Sequence, residues 1–207
     1  MAVAAHPDDE ALFFGGTLRE CARNGAAIHV LVLTGAAYCN PPKNAEQKAK
    51  EPARIMHRMN ALAHVCHDLR ASYQCCELMQ SHGAPDPLAV TRQAFDDVQA
   101  AVDNFNPDLI LTHAETGDYD ASNPRYATGY DTAREQHQLA HRAAVATGRP
   151  VWAYDLNGPI AVPIDLALKL QLLEYYRYGC TQAAEWPGAR WYPEFVTETE
   201  RYCEIAD

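Results

Sequence analysis

Residues 1–35 read MAVAAHPDDEALFFGGTLRECARNGAAIHVLVLTG. The opening MAVAAH is short, apolar and compatible with a strand, and it stops at His6-Pro7-Asp8-Asp9-Glu10. From Glu10 to Asn24 the apolar positions Ala11, Leu12, Gly15, Leu18 and Ala22 recur with a helical period, and Asn24-Gly25 ends the run. AIHVLVLTG, residues 27–35, is a β-branched run of strand length. It is apolar on both faces, as a buried parallel strand requires. Strand, helix and second strand in this order are the unit of an open α/β sheet. The first strand is very short and is expected to weaken the edge of that sheet.

The alternation continues outward. A polar loop with Pro41-Pro42 leads into a helix over about 45–63, and His64 to Met79 reads as a strand region. Pro87 to Asn104 is helical by period, Asn106-Pro107 breaks it, and DLILTH (108–113) is another buried strand. Residues 114–131 have no period and are rich in Gly, Asp, Asn, Pro and Tyr. Thr132 to Thr147 reads as a helix closed by Gly148 and Pro150, VWAYDLN (151–157) as a strand, and Ile164 to Tyr178 as a helix. The tail mixes aromatics and acids. No repeat or linker divides the chain, so residues 1–207 are expected to form one domain.

Composition narrows the function. With 48% hydrophobic and 21% charged residues, the 207-residue chain is globular in character. No apolar run reaches the length of a membrane span, and the start lacks the basic and apolar regions of a signal peptide. A cytoplasmic protein is therefore the expectation. Lys plus Arg is 17 against 27 Asp plus Glu, a formal charge of −10. That argues against nucleic acid or an anionic membrane as partner, since phosphate binding needs a basic surface. Seven cysteines at irregular spacing, with no CxxC pair, read as reduced thiols.

Sites in open α/β sheets lie at the carboxyl ends of strands. That rule selects the segments HPDDE, GAAYCN and HAETGDYD. His6 and the Asp8-Asp9 pair supply imidazole and carboxylate ligands suited to zinc or a similar divalent ion. Neighbouring side chains diverge, so one aspartate can bind metal while the other reaches a metal-bound water and takes its proton. The same acids can also cap the first helix. A catalytic zinc usually has three protein ligands, and the third is expected from the helix that begins near Thr132. His137 and His141 lie four apart on one face of it, and the residues alone leave both open.

Together these strings resemble the PIG-L/LmbE-like deacetylase family. The likeness runs through AAHPDDE, GGTL, HVLVLTG, NPDLILTH, HQLAHRAAV, VWAYDLN and LEYYRYGCTQ, over nearly the whole chain. It implies a Rossmann-like three-layer α/β sandwich with a mostly parallel sheet. It also implies a zinc-dependent hydrolase, with one zinc per chain, that removes acetyl groups from amino-sugar amides. Carried onto this sequence, the resemblance makes His6, Asp9 and His137 the metal ligands and Asp8 the general base. One position departs from the pattern. Three residues before the zinc histidine the family usually has another histidine, and here Arg134 stands there. An arginine can stabilise a tetrahedral oxyanion but cannot act as an acid at neutral pH. Arg54 falls where the family often places a substrate-binding arginine.

Three further expectations complete the reading. His113, directly after DLILT, should face the site. Residues 114–131 have the length of a lid and carry Asp118, Tyr119, Tyr126 and Tyr130, with Tyr130 expected on the substrate. His64, Cys66 and His67 with Cys75 and Cys76 fit no zinc spacing and read as packed side chains, and Trp186, Trp191 and Tyr192 as a cover for the core. The sequence thus reads as a zinc-dependent N-deacetylase of an N-acetylglucosamine-type sugar or conjugate, compatible with a homo-oligomer. Two other classes stay open: a metal-dependent hydrolase of another amide or ester bond, and a binding homologue that has lost turnover.

Overall fold

A computed structural model of the chain describes residues 1–34, 45–76, 87–119, 122, 131–176 and 194–205. The side chains of 45–51, 54, 87, 131 and 132 are outside that set. The first strand, β1, is Ala2–Ala4, and the turn after it carries His6 to Asp8. The helix expected over 10–24 is two pieces, α1 (Asp9–Leu12) and α2 (Gly15–Arg23), divided at Phe13-Phe14. Both phenylalanines are fully buried, and the break lets two successive side chains enter the core. Gly25 ends the unit at φ 80, a conformation that favours glycine.

Strand β2 is His29–Val32 and helix α3 is Ala45–Leu69. α3 outruns the expected end near residue 63 because Leu62, Val65, Cys66 and Leu69 continue its buried face at helical spacing. The strand region placed at 64–79 shrinks accordingly to β3, Ser72–Cys75. Next come α4 (Pro87–Phe105), β4 (Ile110–Thr112), α5 (Asp131–Val145) and β5 (Val151–Tyr154). Two strands in the last third were not foreseen: β6 (Ile160–Pro163) and β7 (Thr199–Ile205), with α6 (Leu166–Glu174) between them.

Among the described residues the strands form one seven-stranded sheet in the order β3-β2-β1-β4-β5-β7-β6. The pairs from β3 to β5 are parallel, and β7 runs antiparallel to both β5 and β6. The short β1 is thus an interior strand and not an edge, paired Ala2 to Val30 and Ala2 to Leu111. Its length is no weakness, since neighbours on both sides take its hydrogen bonds. Alternate residues of β1 and β2 face opposite sides, as strand geometry dictates. Ala2, Ala4, Val30 and Val32 join one core with α1, α2, α3 and α6 residues. Val3, Ala5, Leu31 and Leu33 join the other, with residues of α4 and α5. Helices therefore cover both sides of a mostly parallel sheet. Among the described residues no helix is long and apolar enough to cross a membrane.

Candidate metal centre

The sheet order changes direction between β1 and β4, where an open α/β sheet leaves a crevice at the strands' carboxyl ends. His6, Asp8 and Asp9 follow β1 there, and His113 follows β4. The backbone of Asp8 takes φ 134, in the region that favours glycine. Such a residue costs about 1–3 kcal/mol and persists where surrounding structure enforces it. Here the fold enforces it with a hydrogen bond from Asp8 N to Glu10 Oε2 at 3.1 Å. Glu10 is itself buried and takes the Tyr176 hydroxyl on Oε1 at 2.5 Å. Burial pushes the Glu10 carboxyl up to about 8, against the pull of that bond.

His6, Asp9 and His137 converge. His6 Nδ1 lies 3.2 Å from Asp9 Oδ2, His137 Nε2 lies 3.4 Å from the same oxygen, and the two nitrogens are 3.2 Å apart. All three residues are buried. Ligands at 2.0–2.1 Å around a tetrahedral zinc stand about 3.3 Å apart, so this triangle has the size and donor types the ion needs. The outer nitrogens are engaged as well. His6 Nε2 donates to Gln136 Oε1 at 2.5 Å, and His137 Nδ1 donates to Asp118 Oδ2 at 2.7 Å. These contacts occupy the outer edge of each ring, where metal-bound histidines usually find a supporting group. Burial, then the neighbouring His113, lowers His137 to about 4, so the ring is neutral as a ligand must be. Burial opposes the charge on Asp9, but His137, His6 and His113 outweigh it and hold its carboxyl well below the usual range.

Asp8 is not a member of the triangle. Its Oδ2 meets Arg58 Nη2 at 2.6 Å, and its side chain keeps 13% exposure. Burial raises its carboxyl to about 6, with Arg58 opposing and Asp9 adding to the shift. Adjacent aspartates thus face different partners, as their diverging side chains predict.

His113 is fully buried beside the triangle. Ala5 N–H donates to its Nε2 at 3.0 Å, and its Nδ1 donates to Asp118 Oδ2 at 2.6 Å. Asp118 therefore accepts from two imidazoles, and its Oδ1 accepts from Ala114 N at 3.0 Å. Burial works against its charge, yet His113 and His137 hold it at about 2. His113, Asp118 and His137 also cluster closely enough to suggest a metal group, but their separations of 2.6 and 2.7 Å are those of hydrogen bonds. His141 takes no part in either cluster; its Nδ1 donates to the His113 carbonyl at 2.8 Å and ties α5 to the strand end.

Arg134 donates from Nε to the Tyr119 carbonyl at 2.9 Å. It lines a cavity of about 710 Å³ with Asp118, His141, Tyr154 and Asn157, whose wall contains none of His6, Asp8 and Asp9. The Arg54 side chain, Tyr126, Tyr130, Trp186, Trp191 and Tyr192 lie outside the described residues. Cys66 and Cys76 are buried, and among the described residues no metal-binding group includes them or His64 and His67. Three contributors escaped the sequence reading in these roles. Arg58 lies one turn beyond Arg54, which was the signal for it. Gln136 is next to His137 and carries no chemistry that stands out alone. Asp118 was read only as one polar group of the 114–131 segment, and the fold shows it behind two histidines.

The model of the PIG-L family, GlcNAc-PI de-N-acetylase, matches residues 1–147. A 1D-myo-inositol 2-acetamido-2-deoxy-alpha-D-glucopyranoside deacetylase of Corynebacterium kroppenstedtii is 27% identical over 183 residues, 76% of this chain and 43% of the relative. Its counterpart from Corynebacterium diphtheriae is 26% identical over 170 residues, 74% of this chain and 55% of the relative. The chain spans about half the length of the curated relatives it matches. Among solved structures, N,N'-diacetylchitobiose deacetylase from Pyrococcus horikoshii superposes with a TM-score of 0.70 at 14% identity, over 99% of this chain and 82% of that one. GalB, the 4-carboxy-2-hydroxymuconate hydratase of Pseudomonas putida, gives 0.67 at 15%, over 100% and 95%. At such identities the likeness is one of fold, and that fold carries more than one chemistry. The family model covers most of the chain, including every residue of the triangle, and this chain belongs to the PIG-L family.

Proposed function

We propose that this protein is a zinc-dependent N-deacetylase acting on an N-acetylated amino sugar or a conjugate of one. The observation that carries the reading is the triangle of His6 Nδ1, Asp9 Oδ2 and His137 Nε2, sized for one tetrahedral ion with one position left open. The sugar amide is suggested by the family and by the deacetylases named among its relatives.

A zinc ion held there would polarise an acyl carbonyl and bring the pKa of water toward neutrality. The chain's own groups supply the rest. Asp8, next to Asp9 in the chain and free of the triangle itself, accepts the proton as water adds to the acyl carbon. Arg58 holds that carboxylate in place. Breakage of the C–N bond then releases acetate, and the proton taken by Asp8 is the one the departing amine requires. Asp118 and Gln136 keep the two imidazoles oriented throughout.

The test is acetate release from a panel of N-acetylglucosamine conjugates, with zinc and with chelator. Release that chelator stops and zinc restores is the expected result. Hydrolysis of a chromogenic phosphoester in place of the amides would move the reading to another bond. Tight zinc and sugar binding without acetate would make the protein a binder.

A further inference from the structure

With His6 read as a metal ligand, as proposed above, we infer that Gln136 is a positioning residue that holds the His6 ring in its metal-binding tautomer. The Gln136 side chain is buried, and its Oε1 lies 2.5 Å from His6 Nε2. Its Nε2, also buried, has no hydrogen-bond partner among the described residues. A buried amide satisfied at one end only is a net cost of about 1–3 kcal/mol. A hydrophobic side chain of the same size would avoid that cost. What it would not do is accept the His6 Nε2 proton.

Two tautomers of His6 compete. With the proton on Nε2, Gln136 Oε1 accepts it, and Nδ1 presents a lone pair to Asp9 and His137. With the proton on Nδ1, that nitrogen donates toward Asp9 Oδ2, 3.2 Å away, and is closed to a metal. Gln136 favours the first state. Turned end for end, the amide would donate to Nε2 and select the second. The observed orientation is the one that opens the triangle, and it leaves the amide nitrogen unpaired. Metal-bound histidines usually lean on a carboxylate or carbonyl through their second nitrogen. For His137 that group is Asp118. For His6 it is a neutral amide, so the centre gains no further charge beside Asp8, Asp9 and Asp118.

Gln136→Met removes the acceptor at nearly constant size, and Gln136→Glu keeps it. Zinc affinity, measured by chelator competition, should fall about ten- to a hundredfold in Gln136→Met and stay at or above wild type in Gln136→Glu. Nitrogen NMR of the zinc-free proteins should show His6 protonated at Nε2 in wild type and at Nδ1 in Gln136→Met. A merely structural glutamine would leave that tautomer unmoved. Wild-type zinc affinity in Gln136→Met overturns the positioning role and leaves the metal reading standing. Loss of zinc in a folded Gln136→Glu overturns it equally. Failure of the wild-type protein to bind zinc removes the metal reading, and this role with it.

Discussion

The proposed reading gives two neighbouring aspartates different tasks. Asp9 Oδ2 lies 3.2–3.4 Å from three imidazoles, those of His6, His113 and His137, while Asp8 Oδ2 faces Arg58. Substituting Asn for Asp8 keeps the size and removes the proton acceptor. The expected outcome for Asp8→Asn is a turnover lowered by roughly a hundredfold or more, with about one zinc still bound per chain. Loss of metal along with activity would exchange the two roles. The histidines of α5 separate in the same way. His137→Ala should release zinc on dialysis, since it removes one of three ligands, whereas His141→Ala should retain it. Metal analysis of the two dialysed variants decides the matter, and the reverse order would shift the centre by one turn of α5.

At the scale of elements, the join between α1 and α2 depends on a partner near the other end of the chain. Glu200 in β7 accepts from Gly16 N at 2.9 Å and Thr17 N at 2.7 Å, satisfying free amides at the start of α2. Lys169 in α6, fully buried, bonds Glu200 Oε1 and the Phe195 carbonyl, each at 2.8 Å. Gly16 has no room for more, because a Cβ there would stand 2.3 Å from Ile164 Cδ1. Lys169→Met should destabilise the fold by about 3 kcal/mol in urea unfolding, chiefly by leaving Glu200 as a buried, uncompensated charge. Adding Glu200→Gln should cost less than the two single changes summed. Strict additivity would show that the pair is not coupled. None of this was legible from the sequence, where the helical period simply ran through Phe13 and Phe14. Elements with strong periodicity, α4 and α5, were found within about two residues of their ends. β6 and β7 were missed because a half-exposed antiparallel ribbon has no long apolar run to announce it. The centre divides likewise. HPDDE offers metal-ligating residue types in sequence, but the groups behind the rings, Asp118 and Gln136, become visible only once β4 and α5 meet.

For the molecule as a whole, the proposed metal is also a cross-link. His6 and Asp9 follow the central strand, and His137 lies on a helix 131 positions further along the chain from His6. An unfolded chain does not hold three such groups 3.2–3.4 Å apart, so zinc binds the folded state in preference. At a free concentration one hundred times its Kd, a ligand of this kind adds about 2.7 kcal/mol of stability. In a domain of this size that corresponds to a rise in Tm of roughly 5–10 °C. Thermal unfolding in zinc and in chelator should show that difference for the wild-type protein and none for His137→Ala. His141→Ala, with the triangle intact, should keep the zinc-dependent rise even though its absolute Tm falls. A wild-type Tm indifferent to zinc and chelator would mean that these three side chains do not hold the ion, however well their spacing suits one.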